Sequence, residues 1–214
     1  YGELPKYRST RNEGFGKLTF TPVRNALINA SYRRSERTDR SDLFPANAAP
    51  TTGSGAGIAQ KIATLEGSWI LGARSHATFK ATHFGNESLG RPDRVAGASI
   101  STAPGTRLDL AALDTLGRVT VPSPIAGQAA FNAFIQPIVE RYGFLSDGAR
   151  RGGGIVGVAS QFNDQDFFRD AGQVGYNIVL GGAVTHELHA GYQIYVDSEH
   201  LVRRSNGWGE ISVP

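Results

Sequence analysis

The chain has 214 residues, with 27 glycines, 10 prolines, no cysteine, no methionine and a net charge of +3. The lack of cysteine excludes a disulfide scaffold, a thiolate metal site and a cysteine nucleophile, and no apolar run approaches the ~20 residues of a membrane-spanning helix. Basic residues fall in short clusters interleaved with acids, such as Arg33, Arg34, Arg37 and Arg40 among Glu36, Asp39 and Asp42, which suits solvated loops better than a nucleic-acid interface.

Tyr1 to Thr10 carry no signal peptide and Gly207 to Pro214 no turn or cap, so a processed chain or an internal piece of a longer protein is expected. Period-two alternation then predicts six strands, near residues 14–21, 25–36, 58–69, 75–85, 165–180 and 185–198. In the first, Gly16, Leu18 and Phe20 alternate with Lys17, Thr19 and Thr21. The second places Ala26, Ile28, Ala30 and Tyr32 on one face, the third Ala63, Leu65, Gly67 and Trp69, and the fourth Ala77, Phe79 and Ala81. The last two form the clearest pair, with Val174, Tyr176, Ile178 and Leu180 followed by Leu188, Ala190, Tyr192, Ile194 and Val196. Slipping that pair by one residue would put Glu187 and Asp197 on the apolar face, so its register is specified.

None of these apolar-face positions is charged, whereas the facing positions include Lys17, Arg33, Glu66, Lys80, Glu187 and Asp197. The apolar face mixes small residues with aromatics near strand ends (Phe20, Tyr32, Trp69). Lipid accepts such a surface, while a close-packed sandwich core would call for more aliphatic volume. Connections alternate short and long: short at 22–25, 70–74 and 181–185, long near 37–57 and 86–164. Short periplasmic turns and long extracellular loops give that asymmetry in outer-membrane barrels, and closed barrels are the way for strands to satisfy their backbone in lipid. The expected fold is therefore all-β: a section of an antiparallel up-and-down transmembrane β-barrel, with residues 1–214 forming a partial barrel domain and no plug domain.

Within the longest loop, the stretch Gly90 to Pro104-Gly105 is turn-rich. Gly127 to Tyr142 carries Phe131, Phe134, Ile135, Ile138 and Tyr142 at helical spacing, interrupted by Pro137, so a short kinked helix is expected. Arg150 to Gly154 is expected to be a flexible tip, and it lacks the Lys-Ser/Thr ending of a phosphate loop. His186-Glu187-Leu188-His189 has the wrong spacing for a zinc-protease helix, and on a strand its two histidines face opposite ways. The same holds for His76 and His83. The acidic pairs Asp164 with Asp166 and Asp109 with Asp114 suit solvated loop carboxylates. No catalytic, cofactor or metal residue is expected, and the ligand-binding residues are unassigned. Lys17, Glu66, Lys80 and Glu187 would line a solute path or form a wall network that holds a plug.

The runs Gly14-Phe15-Gly16-Lys17-Leu18-Thr19-Phe20-Thr21-Pro22 and His186-Glu187-Leu188-His189-Ala190-Gly191-Tyr192-Gln193 resemble barrel hairpins of TonB-dependent receptors, in style closest to the Oar-like group. That resemblance implies a 22-stranded barrel with an internal plug in the bacterial outer membrane. It further implies a non-enzymatic importer of a small solute or peptide, coupled to TonB through parts of the receptor other than these strands. The sequence has no TonB box, no plug and no terminal strand ending in an aromatic residue. A passive porin would use the same strands. A soluble β-rich carbohydrate-binding module would instead bury the apolar face against a second sheet. A surface enzyme in residues 86–164 would need a convergent histidine, and that segment has none.

Overall fold

In the computed structural model, which describes residues 5–44, 47–97 and 110–212, the chain starts with two long hairpins. Strand β1 (Arg8–Val23) turns through Arg24 and Asn25 into β2 (Ala26–Leu43), and β3 (Ser54–Gly72) turns through Ala73 and Arg74 into β4 (Ser75–Pro92). A long excursion holds a short helix α1 (Leu113–Leu116), β5 (Arg118–Thr120), helix α2 (Ala129–Tyr142), β6 (Phe144–Ser146), β7 (Ala149–Arg151) and β8 (Ile155–Gly157). The third hairpin follows, β9 (Gln161–Gly181) with β10 (Thr185–Ser205), and then the short β11 (Glu210–Ser212). The fold is all-β. Its six long strands form one sheet in the order β1-β2-β3-β4-β9-β10, antiparallel throughout, with β1 and β10 as open edges.

All three tight turns lie at one end of this sheet and the long connections at the other. The strands reach further toward the long-connection end than alternation predicted. Expected loops at 37–57 and 86–164 contract to residues 44–53 and 93–160. The added residues, such as Arg37 to Arg40 and Asn86 to Arg91, are polar or small on both faces apart from Leu89, so no period-two contrast marks them.

The excursion is a folded cap. Leu113, Val119, Val121, Ile135, Ile138, Val139, Tyr142 and Val156 form a buried hydrophobic cluster. Three short strands support it in the order β11-β5-β8, with β11 parallel to β5. The apolar stripe of α2 supplies half of the cluster, and the helix continues through Pro137 over its 14 residues. The Tyr142 hydroxyl donates to the Leu110 carbonyl (2.9 Å) and accepts from the Leu113 amide (3.1 Å), which satisfies it inside the core. The connection between β2 and β3 joins in through a parallel bridge of Ala48 to Ile155.

The Arg150–Gly154 segment is docked rather than a flexible tip. Gly153 donates to Val121 and Val121 donates to Gly154. A Cβ on Gly152 would come within 1.9 Å of the Pro122 carbonyl oxygen, so glycine lets two backbones touch there. Gly157 combines φ +93° with a similar approach to Gly117, a position closed to any side chain.

Asn206, only 1% exposed, ties the cap to the sheet. Its Oδ1 accepts from the Ala96 amide (2.8 Å), and its Nδ2 donates to the carbonyls of Arg94 and Ala159 (2.9 Å each). Asn206→Ala would remove three part-buried side chain–backbone hydrogen bonds, each worth about 0.5–1.5 kcal/mol. We expect cap opening to become easier by about 2 kcal/mol, read as faster amide exchange at Ala96. Unchanged exchange there would show that the clasp is dispensable.

Candidate functional site

The register carries each strand's alternation across the whole sheet. Residues directly opposite share a face, so the rung Leu18–Ala30–Leu65–Ala81–Gly172–Ile194 lies on one side. The next rung toward the tight turns is Phe20–Ile28–Gly67–Phe79–Val174–Tyr192, and beyond it comes Ala26–Trp69–Ala77–Tyr176–Ala190. These rungs make an uncharged band. Among the described residues no element covers it: Leu18, Leu65, Trp69, Tyr192 and Ile194 are all exposed, Leu18 to 76%. The buried apolar cluster lies in the cap instead.

The band ends abruptly toward the cap. Its boundary rung, Gly16–Tyr32–Ala63–His83–Asp170–Val196, contains a hydrogen bond between His83 Nδ1 and the Asp170 carboxylate (2.7 Å). Further up the same face, Lys61 pairs with Glu87 (2.6 Å) and Arg34 with Glu36. One face is thus apolar over its lower part and ionic above.

The opposite face is polar over the same height. Its rungs there are Thr19–Asn29–Glu66–Lys80–Gln173–Gln193 and Leu27–Ser68–Thr78–Gly175–Gly191. Thr19 donates to Asn29 (2.8 Å). Glu66, Lys80, Asn29, Thr78 and Gln173 line a shallow hollow of about 310 Å³. Lower down, Asn177 donates to His76 Nε2 (2.7 Å) and accepts from His189 Nδ1, linking three strands. Higher up, Arg169 makes a two-point contact with Asp197 (2.6 and 2.7 Å), Arg33 bonds Glu13 (3.1 Å), and Gln165 bonds Glu199 (2.7 Å).

No protein-family model matches this chain, and no curated protein is a recognisable relative. The two faces therefore have to carry the functional argument.

Of the inward charges expected from sequence, Lys17, Glu66, Lys80 and Glu187 share the polar face, and Glu66 stands directly opposite Lys80. His186 pairs with Leu180 on the band face, whereas His189 pairs with Asn177 on the polar face. His76 and His83 also separate to opposite faces, yet His76 and His189 meet through Asn177, a link between distant strands that sequence spacing does not reveal. Asp164 and Asp166 follow each other on the band face of β9; Asp166 lies 3.9 Å from His200. Asp114 sits in the first turn of α1, and Asp109 lies outside the described residues. Among the described residues no three His, Asp or Glu side chains converge on a metal-sized site, and no helix is long and apolar enough to cross a membrane.

Proposed function

We propose that this chain is a section of the wall of a bacterial outer-membrane β-barrel, with the band against lipid and the polar face toward the lumen. The observation that carries this is the uncovered band with a sharp polar limit toward the cap. Along β10 it runs from Leu188 to Val196, about 26 Å at roughly 3.3 Å per residue. A strand tilt near 40° shortens this to roughly 20 Å along the membrane normal, close to the ~25 Å apolar belt of such barrels. An open six-stranded sheet exposes unpaired edges, and barrels need at least about eight strands; further strands would pair with β1 and β10.

The tight turns would lie on the periplasmic side and the cap outside the cell. The resemblance to Oar-like hairpins favours a TonB-dependent receptor over a passive porin, with energy-coupled uptake of a small solute or peptide and no enzymatic step. TonB would be engaged through parts of the receptor other than these strands.

The two tryptophans test the orientation. Trp69 lies in the band and Trp208 beside the cap, where its amide bonds Leu116. In vesicles containing lipids brominated on the acyl chains, Trp69 fluorescence should be quenched, measured in Trp208→Phe. Trp208 should be spared in Trp69→Phe. Equal quenching of both, or none of Trp69, would remove the lipid-facing assignment.

A further inference from the structure

On the wall assignment above, the lumen face has a chemical feature that a bare conduit would not require. One rung past the end of the apolar band, the polar face changes character. The residues side by side there are Phe15, Arg33, Ile62, Phe84, Arg169 and Asp197. Phe167 and Tyr195 flank this rung, and the Arg169 guanidinium sits 5.7 Å from the first ring and 5.2 Å from the second. Phe84 and Phe167 meet at 6.1 Å. The strip crosses all six strands, about 24 Å at the ~4.8 Å strand spacing. Cross-strand pairing accounts for Phe84 and Phe167 and the Arg169 guanidinium for Tyr195, whereas Phe15 stands opposite Arg33 rather than another ring.

We propose that this strip binds a neutral oligosaccharide. Flat rings take the apolar faces of sugar rings, and the amide and carboxylate pairs just above, Gln60 with Asn86 and Gln165 with Glu199, can bond their hydroxyls. The strip's length suits an extended, repeating ligand. Arg169 is matched by Asp197 and Arg33 shares Glu13 with Arg11, so the strip keeps only a small positive excess for a polyanion. An extended peptide would add through backbone bonds at a sheet edge, whereas the strip runs across the strands and presents side chains only.

The test is calorimetric titration of the chain in dodecylphosphocholine micelles with maltohexaose, cellohexaose and hexagalacturonate. One neutral hexaose should bind, and Tyr195→Ala and Phe15→Ala should each weaken it about fivefold or more, as removal of an anchoring ring does. Tyr195→Phe, which keeps the ring, should retain binding with an unchanged strand signal in circular dichroism. No binding of either neutral sugar at about 10 mM, well above the millimolar affinity of even a weak site, would overturn the proposal. Indifference to both alanine substitutions, or preference for hexagalacturonate, would do the same. Trp69 quenching by brominated lipid separates the two failures: if it persists while sugars do not bind, the wall assignment stands and this one falls.

Discussion

Leu65→Arg should destabilise the lipid-inserted sheet by about 1–3 kcal/mol, between the midplane and interfacial penalties, whereas Thr64→Arg, one residue away, should cost under ~1 kcal/mol. Leu65 lies on an interior strand in the charge-free rung next to the polar boundary, between Ala30 and Ala81, and Thr64 faces the polar side between Ser31 and Thr82. A guanidinium at Leu65 would have to shed its water within hydrocarbon, while at Thr64 it would keep it. Urea unfolding from phosphocholine vesicles reads the difference. Equal penalties at the two sites would mean that the faces see the same solvent, and the membrane assignment would fail. A soluble sandwich also penalises Leu65→Arg, so the matching measurement in detergent-free buffer matters. A sandwich would give a monomeric folded protein there, whereas the wall section should aggregate through its open edges.

The second large effect belongs to the cap. Ile135 is fully buried at the centre of the cluster, against β5 and β8 residues such as Val119 and Val156. Ile135→Ala should cost about 2–5 kcal/mol, the range for truncating a buried aliphatic side chain. The cluster is small, so that loss approaches the whole stability of the unit. The expected result is selective melting: protease sites open at Arg141, Arg150 and Arg151 while the amides of β3, β4 and β9 stay protected. If the strands lose protection at the same rate, cap and sheet form one cooperative unit. If Arg141 stays resistant, the cluster is not what holds the cap together.

The strands could be found in the sequence wherever their two faces meet different surroundings. Ala63 to Trp69 alternate visibly because one side is apolar and the other carries Thr64, Glu66 and Ser68. Past Tyr32 the band face turns to Arg34 and Glu36 while the polar face carries Arg33, Ser35 and Arg37, so alternation vanishes although the hydrogen-bonded ladder continues. Helix α2 was legible from its repeat of Phe131, Ile135, Ile138 and Tyr142. The sheet beneath it was not, because strands of three residues have no measurable period and β11 joins from far along the chain. Arg150 to Gly154 suggested mobility from composition alone, but its glycines serve close backbone packing. The ring strip was missed because Phe15, Phe84, Phe167 and Tyr195 each looked like an isolated exception within its own strand. Aromatic residues at polar-face positions, at or just beyond the band's upper end, were the signal that could have exposed it.

The shared register of the six strands also constrains how such a chain can change in length over time. Removing Thr64 would turn the remainder of β3 over, sending Glu66 toward Ala30 and Ala81 and Leu65 toward the polar side. Every rung ties a strand to its neighbours, so one such deletion would disturb β2 and β4 as well. Insertions and losses within the strands are therefore tolerable in pairs, whereas exposed turns of the cap outside its buried cluster can change by single residues. Over a lineage, the sheet would keep its parity while the exposed turns of the cap vary in length.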